Sequence, residues 1–176
     1  MADEGKKAVF RIVINGSMEA VYRELTKTGE PQGAVFNSML TLGGAGTGLV
    51  RGRRMQMRTP SGKYAIVRGE VVEADPPRRF AHTHQFTQHG DPLCTVVYDL
   101  KKVEGGVEVT LTVENIPAGT KTENEMMKGG DFILKNLKAI VETGKPPFGT
   151  RLMYAMFGAL EFVLPAKSKS ENWPLD

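Results

Sequence analysis

The stretch Phe80-Ala-His-Thr-His-Gln-Phe-Thr-Gln-His89 holds all three histidines of a 176-residue chain. Imidazole is the side chain that changes charge near neutral pH, ligates metals through either nitrogen, and serves as a general acid or base. Crowding of this kind therefore raises three readings: a metal site, an acid–base centre, and polar groups that orient a ligand or are simply hydrogen-bonded. The metal reading lacks partners. His82 and His84, at i and i+2 on a strand, could supply two imidazoles, but a third ligand must come from elsewhere. No H-x-E or C-x-x-C pattern accompanies them, and Cys94 is the single cysteine. The sequence assigns no metal and no cofactor.

Strand geometry separates the three rings. On an extended Arg79–Thr87 segment, Phe80, His82, His84 and Phe86 share one face, and Ala81, Thr83 and Gln85 take the other. The face with two phenylalanines looks toward a core, which carries His82 and His84 inward. His89 lies beyond the strand, in a turn, and points away. Neutral histidines in an apolar cleft would orient a ligand hydroxyl or carbonyl. As catalytic candidates, His82 and His84 would act as general bases.

The surrounding elements must position that face. Ala8–Ile14 alternates as a strand, Asn15-Gly16 turns the chain, and Ser17 caps a helix running to about Thr28 with Val21, Tyr22 and Leu25 inward. A second short helix is expected over 32–42. The Gly-rich joint that follows contains neither G-x-G-x-x-G nor G-x-x-x-x-G-K, so it reads as a flexible connection. From Leu49 to Asn115 turn signals punctuate a meander of about five strands. Within it, Met55 and Met57 face inward, opposite a basic outer face of Arg54, Gln56 and Arg58. Cys94, Val96 and Tyr98 share one face of their strand, and Cys94 has no base nearby, which makes it a core thiol. A long helix follows, capped by Thr120 or Thr122 and ended by Gly144 and Pro146-Pro147. A curved sheet that buries one face against a single long helix is an α+β architecture.

Composition narrows the class. Hydrophobic residues at 40%, charged residues at 24% and a formal charge of +3 are ordinary for a soluble globular protein. One cysteine excludes an internal disulfide and fits the cytoplasm. The basic run of Arg51, Arg53, Arg54 and Arg58 has no interleaved aromatic residues, so it does not point to nucleic acid. No stretch is long and apolar enough for a membrane span. The tail is apolar on nearly every side of a short helix: Met153, Met156, Phe157, Leu160 and Leu164 on one face, Tyr154, Ala155 and Phe162 on the other. Packing within its own chain, a homodimer contact, and docking on a membrane or partner all remain open for it.

The segments GEVVEADPPRRFAHT (69–83) and LKAIVETG (137–144) resemble the SRPBCC superfamily, also called START-like or helix-grip proteins. The closest branch is that of homologues of the activator of the heat-shock-protein-90 ATPase. The opening IVINGSMEAVYRELT is similar to that family's first strand and helix. The resemblance implies a curved antiparallel sheet wrapped around a long C-terminal helix, with a short helical pair after the first strand. Residues 1–145 would form this domain, and 146–176 a C-terminal extension. Where the family often has Gly-Trp one turn before the closing Leu-Lys, this chain has Gly129-Gly130, which leaves space toward the sheet and invites a kink.

The fold implied hosts lipid carriers, hormone receptors, aromatic cyclases and co-chaperone domains, so it fixes no reaction. The leading expectation is non-catalytic binding of a small apolar or aromatic ligand between sheet and helix. Met55, Met57, Phe80, His82, His84, Phe86, Tyr98, Met127, Gly130 and Leu134 would line the site. The alternatives are a cyclase- or hydrolase-type enzyme using His82 or His84, and a co-chaperone-like module meeting an acidic protein partner through Arg54 and Arg58.

Overall fold

The computed structural model describes residues 5–46 and 48–175. Strand β1 (Lys6–Ile14) leads through Asn15-Gly16 into helix α1 (Met18–Thr26), whose first turn is capped by the Ser17 hydroxyl accepting from the Ala20 N–H at 3.1 Å. Val21, Tyr22 and Leu25 are buried, as the helical spacing demands. Five strands then run as the expected meander: β3 (Arg54–Arg58), β4 (Ala65–Asp75), β5 (Arg79–Phe86), β6 (Cys94–Val103) and β7 (Gly106–Ile116). All neighbours pair antiparallel, and β1 closes against β7.

The second short helix expected over 32–42 does not form. Phe36 and Asn37 both take positive φ, 52° and 56°, which a right-handed helix cannot contain. The chain turns there, and Met39–Leu42 becomes strand β2, paired with β3 at the sheet edge. Only α1 therefore follows the first strand. The sheet order is β1-β7-β6-β5-β4-β3-β2.

Helix α2 (Lys121–Thr143) lies across the inner face. Thr120 caps its start, accepting from the Glu123 N–H at 3.2 Å, and Gly144 ends it in the left-handed conformation at φ 85°. Met126, Gly130, Leu134 and Leu137 are buried in the core with Phe80, Tyr98, Leu111 and Val113. The helix runs unbroken through Gly129-Gly130. Its reason lies across the interface: a Cβ on Gly130 would stand 2.2 Å from the Phe10 ring, so β1 fills the space that a large residue would have taken.

After α2 the chain continues as α3 (Phe148–Ala159) and then passes to the outer face of the sheet. There the last residues act as a polar strap. The Ser168 Oγ is 2.9 Å from the Thr87 Oγ1, Gln56 Nε2 donates to the Trp173 carbonyl at 2.7 Å, and the Arg68 guanidinium lies 5.3 Å from the Trp173 ring centre. The basic outer face is thus partly roofed: Gln56 is buried, and Arg58 donates to Gln56 Oε1 at 2.9 Å. Arg53 is drawn into the glycine-rich loop, where it donates to the carbonyls of Gly43, Ala45 and Gly48 at 2.8, 3.1 and 2.6 Å. That loop is organised around a cation. No helix among the described residues is long and apolar enough to cross a membrane.

Candidate functional site: a histidine pair beneath the long helix

Strand β5 delivers the expected alternation. Phe80, His82 and His84 are buried on the inner face, with Phe86 partly covered beside them. The aromatic rings form a row: Phe80 to His82 at 5.3 Å, His82 to His84 at 5.8 Å, and His84 to Phe86 edge-on at 4.8 Å. His89, expected to point away, instead extends the row, its ring 5.7 Å from Phe86 and its Nε2 2.9 Å from Glu125 Oε1 on α2.

His82 Nδ1 lies 2.8 Å from the Thr83 carbonyl, so this nitrogen carries the proton and donates. Its Nε2 is left as an unpaired acceptor, and neither nitrogen of His84 has a hydrogen-bond partner. Burial pushes the His82 pKa down to about 4, against the opposing pull of the Thr83 hydrogen bond. Burial, reinforced by His82, holds His84 well below the usual imidazole range. Both rings are neutral at pH 7, and buried unpaired polar atoms of this kind are costly. Tyr98, buried across from Phe80 with ring centres 6.4 Å apart, has its phenol pKa raised by desolvation.

These groups border a small void of about 40 Å³, closed by Val35, Val96, Leu111, Val113 and Ile133. Five of the expected lining residues meet there: Met57, His82, His84, Tyr98 and Gly130. Met55, Phe80 and Leu134 lie in the surrounding core, Phe86 packs against His84, and Met127 faces solvent at 45% exposure. Sequence reasoning did not single out Val35, because its segment was read as part of a helix. A larger concavity of about 490 Å³ lies between α3, the end of α2 and the 31–37 turn. It is open to solvent, and its Lys27 and Glu24 face each other at 3.0 Å. The histidine void is the better candidate, because three unpaired imidazole nitrogens of His82 and His84 meet there inside an apolar wall.

The arrangement offers a ligand one fixed acceptor at His82 and a donor and an acceptor at His84. It is poorly suited to proton abstraction, since rings with such depressed pKa values are weak bases and no carboxylate among their described contacts orients them. No cluster of three or more metal-ligating side chains exists among the described residues.

The chain matches the family described as activator of Hsp90 ATPase homolog 1-like protein over residues 15–142. It belongs to that family. The match spans α1, the sheet from β2 to β7 and nearly all of α2, and so includes the histidine strand. Solved structures agree on the fold. The Aha1 dimer from Colwellia psychrerythraea is 22% identical with a TM-score of 0.61, covering 80% of this chain and 98% of that one. The AHSA1-like protein from Aeromonas hydrophila is 21% identical with a TM-score of 0.56, covering 79% and 94%. Protein CV1439 from Chromobacterium violaceum is 23% identical with a TM-score of 0.54, covering 77% and 96%. No curated protein matches the chain. The helix-grip architecture of an α+β protein, and a general role as a ligand-binding or interaction module, follow from this membership.

Proposed function

We propose that this protein binds a small aromatic or apolar molecule bearing one hydroxyl or carbonyl group, between the sheet and α2, without transforming it. The observation that carries the reading is the set of three unpaired imidazole nitrogens, His82 Nε2 and both nitrogens of His84, facing an apolar void. A ligand oxygen would relieve their desolvation, and Met57, Tyr98 and Ile133 would cover its apolar body at about 25 cal/mol per Å² of buried area.

The void of about 40 Å³ holds only one or a few waters, so a ligand enters by displacement. The turn carrying Val35 is the part that would move. It rests on α2 through Phe36 stacked on Phe132 at 4.7 Å and on α3 through the Tyr154 hydroxyl donating to the Gly33 carbonyl. A co-chaperone role, suggested by the family's description, would use the basic outer face toward an acidic partner. The strap over Gln56 and the engagement of Arg53 and Arg58 by the protein itself favour the inner site.

Titration with 1-naphthol and with naphthalene, followed by intrinsic fluorescence or calorimetry, tests the reading. Naphthol should bind about tenfold more tightly, in line with one well-placed buried hydrogen bond, and the His84→Leu variant should lose that preference. Equal affinities for the two compounds, or no binding of either, would overturn it.

A further inference from the structure

Helix α3 and the short turn of helix after it leave their apolar side chains outside the fold. Tyr154 alone is buried, with its hydroxyl donating to the Gly33 carbonyl at 2.7 Å. Phe148, Leu152, Met156, Leu160, Phe162 and Val163 are exposed, from 51% at Leu160 to 76% at Phe162. Monomeric soluble proteins rarely leave so much contiguous apolar surface bare, and such patches mark interaction sites.

The pattern on this surface is specific. Opposite the Tyr154 face, Phe148, Leu152, Ala155 and Ala159 recur with spacings of four and three, the seam of a coiled coil, and Phe162 follows on the short helical turn beyond α3. Two of the four helical positions are alanines, which let a second helix come close but leave little for a lipid phase to solvate. Charge is sparse: Arg151 lies near one end with its guanidinium over the Phe148 ring, and Glu161 near the other accepts from the Thr59 and Ser61 hydroxyls of its own chain.

We propose that this seam is a homodimer interface, with α3 packed antiparallel on α3 of a second copy about a two-fold axis between Ala155 and Met156. That register sets large side chains against small ones. Leu152 falls on Ala159 of the other copy and Met156 on its Ala155. The antiparallel register also keeps the two Arg151 guanidiniums apart, whereas a parallel pair would set Arg151 beside Arg151. An isologous contact of this kind closes on itself and needs no further partner. At the exposures found, residues 148–163 offer on the order of 800 Å² per copy, one side of a standard interface. The contact lies outside the matched family segment of residues 15–142 and is independent of the histidine site.

Sedimentation velocity on the full chain should give a dimer that dissociates at a Kd on the order of micromolar or below. Leu152→Asp combined with Met156→Asp should give a folded monomer, checked by circular dichroism. Ala155→Cys, next to the axis, should form a covalent dimer under mild oxidation, because Cys94 is buried and does not compete. Phe148→Cys, far from its own copy in an antiparallel pair, should not. A monomeric wild type, failure of Ala155→Cys to cross-link, or equal cross-linking at both positions would overturn the proposal. So would a monomer that co-floats with phosphatidylcholine–phosphatidylglycerol vesicles, which would give the face to lipid.

Discussion

The two faces of the sheet treat buried polar groups in opposite ways. On the outer face, Gln56 and Thr87 are buried by the C-terminal strap, and each is bonded: Gln56 to the Trp173 carbonyl and to Arg58, Thr87 to the Ala65 carbonyl at 2.7 Å and to Ser168. On the inner face, His82 and His84 are buried as deeply, yet three of their four ring nitrogens are bare. The outer-face groups are paired by the fold, whereas an unpaired buried polar group costs about 1–3 kcal/mol. The two histidines carry that cost, as do the Tyr22 hydroxyl, Gln32 Oε1 and Asn136 Oδ1 elsewhere in the interior.

Acid should break the contrast most strongly. His82 is neutral in the native state down to about pH 4, whereas the unfolded chain protonates it near pH 6.5. The unfolded state binds more protons across that window, so stability is full above pH 6.5 and is lost as pH falls toward 4. The loss from His82 alone is about 3 kcal/mol, and His84, depressed in the same direction, adds to it. Urea titrations between pH 7 and 4 should show this slope, and His82→Leu with His84→Leu should flatten it. An unchanged slope in the double variant would place the acid sensitivity elsewhere.

Single substitutions on the two faces should then differ in sign. His84→Leu removes two unpaired nitrogens and should stabilise the protein by about 2 kcal/mol at pH 7. Thr87→Val strips the Ala65 carbonyl and Ser168 of their partner and should destabilise it by about 1–2 kcal/mol. Chemical denaturation of the two variants side by side is the check, and the same sign for both would dissolve the distinction. The smallest effect is expected at the edge of the strap. Trp173→Ala loses the contact with Arg68, worth about 1 kcal/mol, and should speed proteolysis of the C-terminal residues with no effect on naphthol binding.

Much of this was legible from residue types and spacing. Alternation in Phe80, His82, His84 and Phe86 is enforced by the two-residue period of a strand, so the inward pair could be read without coordinates, whereas the turn beyond the strand brings His89 back against Phe86 and α2. Ser17, Thr120 and Gly144 announce helix ends through local hydrogen bonding and backbone freedom, and they stand where expected. The 32–42 segment misled, because its propensity says little about a turn built on positive φ at Phe36 and Asn37. The kink expected at Gly129-Gly130 misled as well, since nothing near it in sequence tells that Phe10 packs over Gly130.

The sequence by itself determined the α+β class, the meander, the long closing helix and the facing of the two histidines, all set by local geometry and periodicity. Only the tertiary structure decided which polar atoms are paired. The void beside His84, the Phe10 ring over Gly130, the strap over Gln56 and the bare seam of α3 each depend on residues dozens of positions apart coming within contact distance. Burial and pairing are properties of that meeting, and no run of neighbouring residues encodes them.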